Sequence, residues 1–89
     1  MLDWDEANIG HIAAHAIEPE EVEEALRDPN RVPAPTYRVA TERRRAVLGS
    51  TEDGRLLFVV STRRGTTIRV VTARDATDGE RRRYRERGK

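Results

Sequence analysis

The alternation of apolar and polar positions is clearest in the second half of the chain, where it predicts a β-hairpin. Aliphatic and β-branched residues occupy both faces of two segments, 55–62 and 66–74. The sequence Arg63-Arg64-Gly65 between them supplies the predicted turn. Strands that are apolar on both faces belong near the centre of a sheet, so we expect this hairpin to form the middle of one.

Apolar residues spaced three or four apart predict two helices in the first thirty residues, and a capping pattern predicts a third near the C-terminus. Asp5 is placed to cap a first helix that runs to about His15. Its predicted core face consists of Ile9, Ile12, Ala13 and Ala16. A second helix starts at Pro19 and stops at Asp28-Pro29-Asn30. Thr77-Asp78-Gly79-Glu80 fits a capping box that introduces a third, basic helix.

Two further strands are predicted before the hairpin, at residues 37–41 and 43–51. Asp53-Gly54 marks the turn that follows them, and Pro33 and Pro35 predict an irregular or edge segment before them. The predicted fold class is therefore α+β, with two N-terminal helices packed on an antiparallel sheet of about four strands and a short C-terminal helix. With 89 residues, the chain is expected to form a single domain, 1–89.

Charge divides the chain unevenly. Residues 1–30 carry nine acidic side chains and one arginine, whereas residues 31–89 carry sixteen basic and seven acidic side chains. A basic segment of this kind suits a nucleic acid or an acidic protein, although the two halves can also neutralise each other across a solvated surface.

Composition narrows the class of protein further. The chain has no cysteine, which excludes a disulfide framework and a thiolate metal site and favours a reducing cytoplasm. No apolar run approaches the ~20 residues of a membrane span, and the first residues lack the pattern of a signal peptide. We expect a cytoplasmic protein that makes no membrane contact.

Two histidines with helical spacing, His11 and His15, are the first candidates for chemistry. They form half of a metal site, but no third ligand follows at an evident spacing, so we expect no metal. A polar surface stripe without a role is one reading of the pair. Contact with RNA, or acid–base catalysis by His15, is the other.

Glu42 and Arg44 alternate onto one face of a predicted strand. A carboxylate beside a guanidinium suits phosphodiester cleavage, because the carboxylate accepts a 2′-hydroxyl proton and the arginine stabilises the developing phosphorane charge. A cross-strand salt bridge would have the same geometry.

Arg69, Arg74 and Tyr84 complete the candidates. Arg69 lies inside an apolar strand whose neighbours leave room either for a ligand or for a helix, and Arg74 ends that strand. Tyr84 lies within Arg81-Arg82-Arg83-Tyr84-Arg85, which combines a stacking ring with a phosphate-binding cluster. The alternative is a tyrosine that anchors the last helix to the core.

These residues together resemble the BrnT toxin family over nearly the whole chain. The resemblance rests on short segments in the same order: Trp4-Asp5-Glu6, His15 and Ile17, Glu20-Glu21-Val22, Asp28-Pro29, Glu42, Arg44, Gly49, Asp53-Gly54-Arg55, residues 68–74, and Glu80-Arg81-Arg82-Arg83-Tyr84. It implies a RelE-like fold and a metal-independent ribonuclease of a type II toxin–antitoxin system, with no cofactor. It also implies a ribbon-helix-helix antitoxin of the BrnA kind, and operator DNA bound only through the complex with that antitoxin.

The resemblance and the residues together set the expected site. Catalytic residues are expected to be His15, Glu42, Arg44, Arg69 and Arg74. RNA-binding residues are expected to be Asn8, His11, Arg55, Arg63, Arg82 and Tyr84. Family members commonly have lysine at positions 8 and 14, asparagine at 11 and glycine at 16. This chain has Asn8 and Ala14 at the two lysine positions. An alternative function is therefore a non-catalytic module that binds an antitoxin-like protein or RNA.

Overall fold

A computed structural model describes residues 2–34, 38–39 and 42–87. It has three helices: α1 (Glu6–Ala13), α2 (Pro19–Arg27) and α3 (Asp78–Arg85). It has six strands: β1 (Leu2–Asp3), β2 (Val32–Ala34), β3 (Arg38–Val39), β4 (Glu42–Ser50), β5 (Leu56–Arg64) and β6 (Thr67–Asp75). The predicted α+β class is confirmed.

The sheet is mixed and has more strands than predicted. Five strands follow the order β1-β6-β5-β4-β2, and β3 pairs with β4. The three nine-residue strands and their short partners pair antiparallel, but β1 runs parallel to β6, with Leu2 opposite Ile68. β2 ends the strand order and lies where the prolines predict an irregular or edge segment. The pairing of β1 with β6 was not predicted, because β1 has two residues, too few for periodicity to register. Of the predicted strand 37–41, positions 38 and 39 lie in β3 and the rest lies outside the described residues.

The central hairpin is confirmed, but its turn is shorter than predicted. Gly65 and Thr66 form a two-residue loop, and Arg63 and Arg64 belong to β5. Gly65 has φ 60°, which is costly for other residues and is typical of such tight loops. The two arginines therefore extend β5 rather than forming part of the turn.

A β-bulge corrects the predicted alternation along β6. Val60 is opposite Thr72, whereas the next residue, Ser61, is opposite Val70, so Val71 has no partner on β5. Because of the extra residue, side chains before Val71 point to the face opposite the one that strict alternation would give. Val70 and Ala73 therefore both lie in the core cluster. Arg69 therefore points to the face opposite Ala73, whereas strict alternation along the strand would place the two on one face.

Both faces of the sheet are apolar near its centre. On one face, Leu57, Val59, Val70 and Ala73 pack with helix residues Ile12, Ile17, Val22 and Ala25. On the other, Leu56, Phe58 and Leu48 belong to a smaller cluster with Ala34, Ala46, Ala76 and Tyr84. The helical face is called here the core face, and the other the open face.

Helix α1 ends earlier than predicted. The Ala16 N–H donates to the Ala13 carbonyl and the Ile17 N–H to the Ile12 carbonyl, which are the two bonds of a Schellman motif. Ala16 has φ 58°, in the left-handed region. Ile12 is buried as predicted, but Ala13 and Ala16 are exposed and Ile9 is 39% exposed, so α1 contributes Ile12 alone to the core cluster.

Helix α2 follows the predicted pattern closely. Its N-terminus has Pro19 in the first turn, and Ile17 and Val22 are buried in one cluster, as a hydrophobic staple requires. Ala25 packs so tightly on β4 that a side chain at Gly49 would collide with the Ala25 carbonyl. This close approach holds the helix layer on the core face.

Helix α3 lies against the open face and is fixed by polar contacts. Thr77 and Glu80 form the predicted capping box. The Tyr84 hydroxyl donates to the Asp28 carboxylate at 2.5 Å, and the Arg83 guanidinium donates to the Pro33 carbonyl. None of the helices in the described part of the chain is long and apolar enough to cross a membrane.

Candidate functional site

A row of three polar side chains crosses the open face of the sheet. Arg44 on β4 is opposite Thr62 on β5, and Thr62 is opposite Arg69 on β6. Residues directly opposite on neighbouring strands share a face and lie close together. The bulge at Val71 brings Arg69 into this row, since without the extra residue the phase of β6 would not place the arginine beside Thr62.

This row lines a groove of about 240 Å³, called here the arginine groove. Its walls come from the open face of the sheet and from one side of α1, from Ala7 in the first turn to His11 in the last. Its lining residues are Ala7, Asn8, His11, Arg44, Thr62, Arg64, Arg69, Val70 and Val71. Three guanidinium groups and an imidazole around one small cleft provide the donors that a phosphate group requires.

The N-terminus of α1 is tied directly to this groove. Arg69 donates to the Asp5 carboxylate at 2.5 Å and lies 3.6 Å from Asp3. The hydrogen bond from Arg69, with the Asn8 backbone N–H, lowers the pKa of Asp5 below its ordinary value. Asp5 is therefore both the cap of α1 and the partner that orients Arg69.

Asn8 serves the same helix start. It is 3% exposed, its amide donates to the Asp3 carbonyl at 2.7 Å, and its side-chain oxygen accepts from the Asp5 N–H at 2.7 Å. Asn8 lines the arginine groove, but its hydrogen bonds are already used in the capping box. The structure thus gives this predicted RNA-binding residue a structural role.

Four predicted site residues meet at the arginine groove: Asn8, His11, Arg44 and Arg69. Glu42 is the first residue of β4, opposite Val39, two residues before Arg44. The side chain of Glu42 lies outside the described part of the structure. His11, on the last turns of α1, is exposed and lines the groove from the helix side.

His15 and Arg55 lie away from the groove and near each other. His15 is exposed in the turn after α1, because the helix ends before reaching it. The Arg55 guanidinium donates to the His15 and Ala16 carbonyls and forms ion pairs with Asp75 and Glu21. These partners raise the pKa of Arg55, the hydrogen bond to Asp75 most strongly. Arg55 therefore joins the α1–α2 turn to the sheet.

Arg74 and Tyr84 fasten α3 to the open face. Arg74 makes two hydrogen bonds to Glu80, at 2.7 and 3.0 Å, and lies 4.0 Å above the Phe58 ring. Tyr84 donates to Asp28, and the Arg87 guanidinium lies 4.2 Å from the Tyr84 ring. The anchoring reading of Tyr84 fits these contacts.

The two other predicted RNA-binding arginines are at the surface. Arg63 is exposed near the end of β5, opposite Ile68, and Arg82 is exposed on α3. Neither lines the arginine groove.

Sequence analysis missed Arg64 and Thr62 as residues of the groove, and Asp5 as the partner of Arg69. The predicted turn includes Arg64. A two-residue loop at Gly65 and Thr66, which is a common hairpin connection, would instead place Arg64 in β5. In the part of the chain that the structure describes, no cluster of acidic or histidine side chains is arranged to hold a metal ion.

The fold and the groove define a small α+β protein whose cationic sheet face suits a phosphodiester backbone. Residues 4–80 match the family described as the ribonuclease toxin BrnT of type II toxin–antitoxin systems, and the chain belongs to this family. Membership implies an RNA target and an antitoxin protein as partner. Among the curated proteins, none matches the chain.

Proposed function

We propose that the chain is a metal-independent RNA endonuclease that cuts at the arginine groove. The observation that carries this proposal is the cross-strand row Arg44–Thr62–Arg69 facing His11 across one cleft. Guanidinium groups held by neighbouring strands neutralise a phosphate without a metal ion, and their positions are set before RNA arrives.

In the proposed reaction, a base removes the proton from a 2′-hydroxyl, and the resulting oxyanion attacks the adjacent phosphorus. The bond to the 5′-oxygen breaks, and an acid donates a proton to that leaving group. The products are a 2′,3′-cyclic phosphate and a 5′-hydroxyl. The attacking nucleophile belongs to the RNA itself, so the protein supplies positioning, proton transfer and charge stabilisation.

The assignment of roles follows from which residues meet. Arg44 and Arg64 are proposed to bind the scissile phosphate, and His11 replaces His15 as the histidine for proton transfer. Glu42 stays the proposed base because it begins the strand that carries Arg44. Arg74 is removed from the proposed site, since Glu80 holds it beneath α3.

The proposed biological setting follows from the family. The toxin is proposed to act in the cytoplasm as a single RelE-like domain, 1–89, and to inhibit translation by cutting RNA. A BrnA-like antitoxin with a ribbon-helix-helix domain is proposed to neutralise it. Operator DNA is proposed to be bound through the antitoxin in their complex, and not by this chain alone.

A non-catalytic binding module is the second candidate, and two contacts favour it. Arg69 is already paired with Asp5 and Asp3, and Asn8, at a position where the family commonly has lysine, is committed to the helix cap. Fewer cationic donors are then available to a phosphate than in a site with both lysines.

The first experiment is incubation of the purified chain with total RNA in excess EDTA. Wild type is expected to cleave, leaving 2′,3′-cyclic phosphate ends. Arg44→Ala and Glu42→Gln are each expected to lower the rate by about 100-fold or more, the usual effect of removing a transition-state donor or a base. Arg85→Ala, which removes an exposed arginine of α3, is the matched control and should cleave as wild type does.

Undiminished cleavage by both Arg44→Ala and Glu42→Gln would end this mechanism. If wild type does not cleave free RNA, growth arrest on expression separates a ribosome-dependent nuclease from the binding module. Gain of cleavage after Asn8→Lys together with Ala14→Lys would identify a member that has lost activity.

A further inference from the structure

A second groove lies on the core face of the sheet, where the helices leave one end uncovered. It encloses about 700 Å³ and is called here the apolar groove. Four aliphatic side chains line it: Leu2, Leu26, Val47 and Ile68. Each of the four is half-buried, which means that the fold leaves part of their apolar surface in contact with solvent.

Arginines surround this apolar floor. Arg27, Arg31 and Arg45 line the groove together with one carboxylate, Glu23. Arg27 reaches Glu23 at 3.5 Å, but its side chain is 74% exposed, so solvent weakens that pair. The Arg31 guanidinium donates to the Asp28 carbonyl, and the Arg45 side chain, which is exposed, makes no hydrogen bond or ion pair with a described residue. The rim therefore has an excess of positive charge.

The apolar groove and the arginine groove open on opposite sides of one sheet. Arg45 and Val47 alternate with Arg44 along β4, so they point to the other face. A ligand in one groove does not fill the other. The two grooves differ in size and character: the arginine groove is small and polar, whereas the apolar groove is larger and mainly apolar.

We propose that the apolar groove is where the antitoxin docks, through a segment that carries aliphatic residues flanked by carboxylates. This inference rests on the chain's role as a toxin with an antitoxin partner. Aliphatic side chains would cover the floor, and Asp or Glu would pair with Arg45 and Arg31.

The chemistry of the groove favours a protein over RNA or a second copy of the chain. Single-stranded RNA binds on aromatic rings, and the described lining has none. A second copy that docked through the same groove would place Arg27, Arg31 and Arg45 against the same arginines, and this repulsion between like charges opposes a symmetric dimer. An antitoxin segment with several apolar residues covers the four aliphatic side chains.

The test uses the full chain and the antitoxin encoded in the same operon, with affinity measured by titration. Arg45→Glu is expected to raise the Kd by at least ~10-fold through charge repulsion, and Val47→Thr by a few-fold through loss of a buried methyl group. Arg81→Glu makes the same charge change at an exposed position of α3 that lines neither groove, and it should leave the Kd unchanged. Thermal unfolding of each variant checks that the fold is retained.

Each outcome bears on the inference separately from the nuclease activity. A wild-type Kd in both groove variants overturns the docking surface, while cleavage by the same preparations in EDTA keeps the nuclease proposal intact. Weaker binding of an RNA oligonucleotide, with antitoxin affinity unchanged, assigns the groove to RNA and also overturns it. If wild type sediments as a dimer and Arg45→Glu sediments as a monomer, the groove joins two copies of the chain. That result also overturns the inference. Absence of any complex with wild type overturns the inference as well.

Discussion

Ala16 occupies a backbone conformation that suits glycine. Its φ of 58° completes the Schellman motif that ends α1 and turns the chain back toward Ile17. A side chain in this region carries a steric cost that glycine avoids. The resemblance described from the sequence implies glycine at this position, and glycine would complete the same cap without that cost.

Ala16→Gly is expected to stabilise the chain. Relief of the left-handed strain should raise the free energy of unfolding by up to about 1 kcal/mol, after the greater freedom of glycine in the unfolded chain is offset. Ala13→Gly, in the right-handed part of α1, is the control and should lower it by about 0.5 to 1 kcal/mol. Urea unfolding measures both, and destabilisation by Ala16→Gly would contradict the strain at this residue.

At the same scale, Arg69 serves two purposes. It lines the arginine groove, yet it is paired with the carboxylate that caps α1. The pair positions the guanidinium, but it also partly neutralises the charge.

Among the elements, α3 shows how a helix without an apolar stripe is held in place. None of its described residues is fully buried, and Tyr84 supplies its one contact with an apolar cluster. The Tyr84 hydroxyl bonds to Asp28, which also accepts from the Ser50 and Asn30 N–H groups. Asp28 thus links the ends of α2, α3 and β4.

The pH dependence of this anchor follows from both partners. Burial, together with the bond to Asp28, raises the pKa of Tyr84 above 10.0. The contribution of Tyr84 to stability is therefore complete below pH 10.0, and it is lost as the pH rises through the raised pKa. Burial would raise the pKa of Asp28, but the three donors lower it below 3.8. The contribution of Asp28 is therefore present above pH 3.8 and lost as the pH falls through the lowered value.

Tyr84→Phe is expected to lower the free energy of unfolding by about 1 to 2 kcal/mol at neutral pH, because it removes a hydrogen bond to a carboxylate and keeps the ring. It should also flatten the loss of stability above pH 10.0. Asp28→Asn completes a double-mutant cycle that isolates the pair. Zero coupling energy at neutral pH in denaturant unfolding would show that the hydroxyl does not anchor α3.

At the scale of the whole molecule, the uneven distribution of charge along the chain is partly neutralised by folding. Carboxylates of the first thirty residues pair with arginines of the last forty at two places, Asp5 with Arg69 and Glu21 with Arg55. Arg55 also pairs with Asp75 and so connects the helical layer to both central strands. Neutralisation between the two halves of the chain therefore accounts for part of the uneven charge. The arginines of the arginine groove, which are proposed to bind RNA, account for another part.

Salt is expected to lower the melting temperature by a few degrees. Raising the ionic strength from about 0.01 M to about 1 M shortens the Debye length from about 30 Å to about 3 Å and weakens these partly exposed pairs. Arg55→Met should show a shallower dependence, whereas the exposed Arg85→Met should show that of wild type. A melting temperature in wild type that is independent of salt would contradict a contribution from these pairs.

Much of the fold was predictable from local patterns because local chemistry decides it. The caps at Asp5 and Thr77, the start of α2 at Pro19, and the turn at Asp53-Gly54 depend on residues a few positions apart. Of the short strands, β3 falls inside the predicted strand 37–41 and β2 inside the predicted irregular or edge segment, whereas the parallel pairing of β1 with β6 joins residues at opposite ends of the described chain and no local pattern predicts it.

The chemical character of the candidate site was predictable from the sequence, but the particular residues that form it were not. Arginines within apolar strands indicate either an anionic ligand or a carboxylate of the protein itself. Arg44 and Arg69 lie in one groove, and Arg69 is paired with the carboxylate of Asp5. His15 and Arg74 are equally suitable by residue type, but the end of α1 and the ion pair to Glu80 place them elsewhere. Residue type does not reveal which polar group already has an internal partner.

The sequence by itself determined the α+β class, the central hairpin, the helix starts and the resemblance to a family of ribonuclease toxins, because these depend on periodicity, capping and motif order. The tertiary structure alone decided the faces of the sheet. One extra residue at Val71 reverses the alternation of β6 and aligns Arg69 with Thr62 and Arg44. Such a register depends on pairing across strands, and no local pattern contains it.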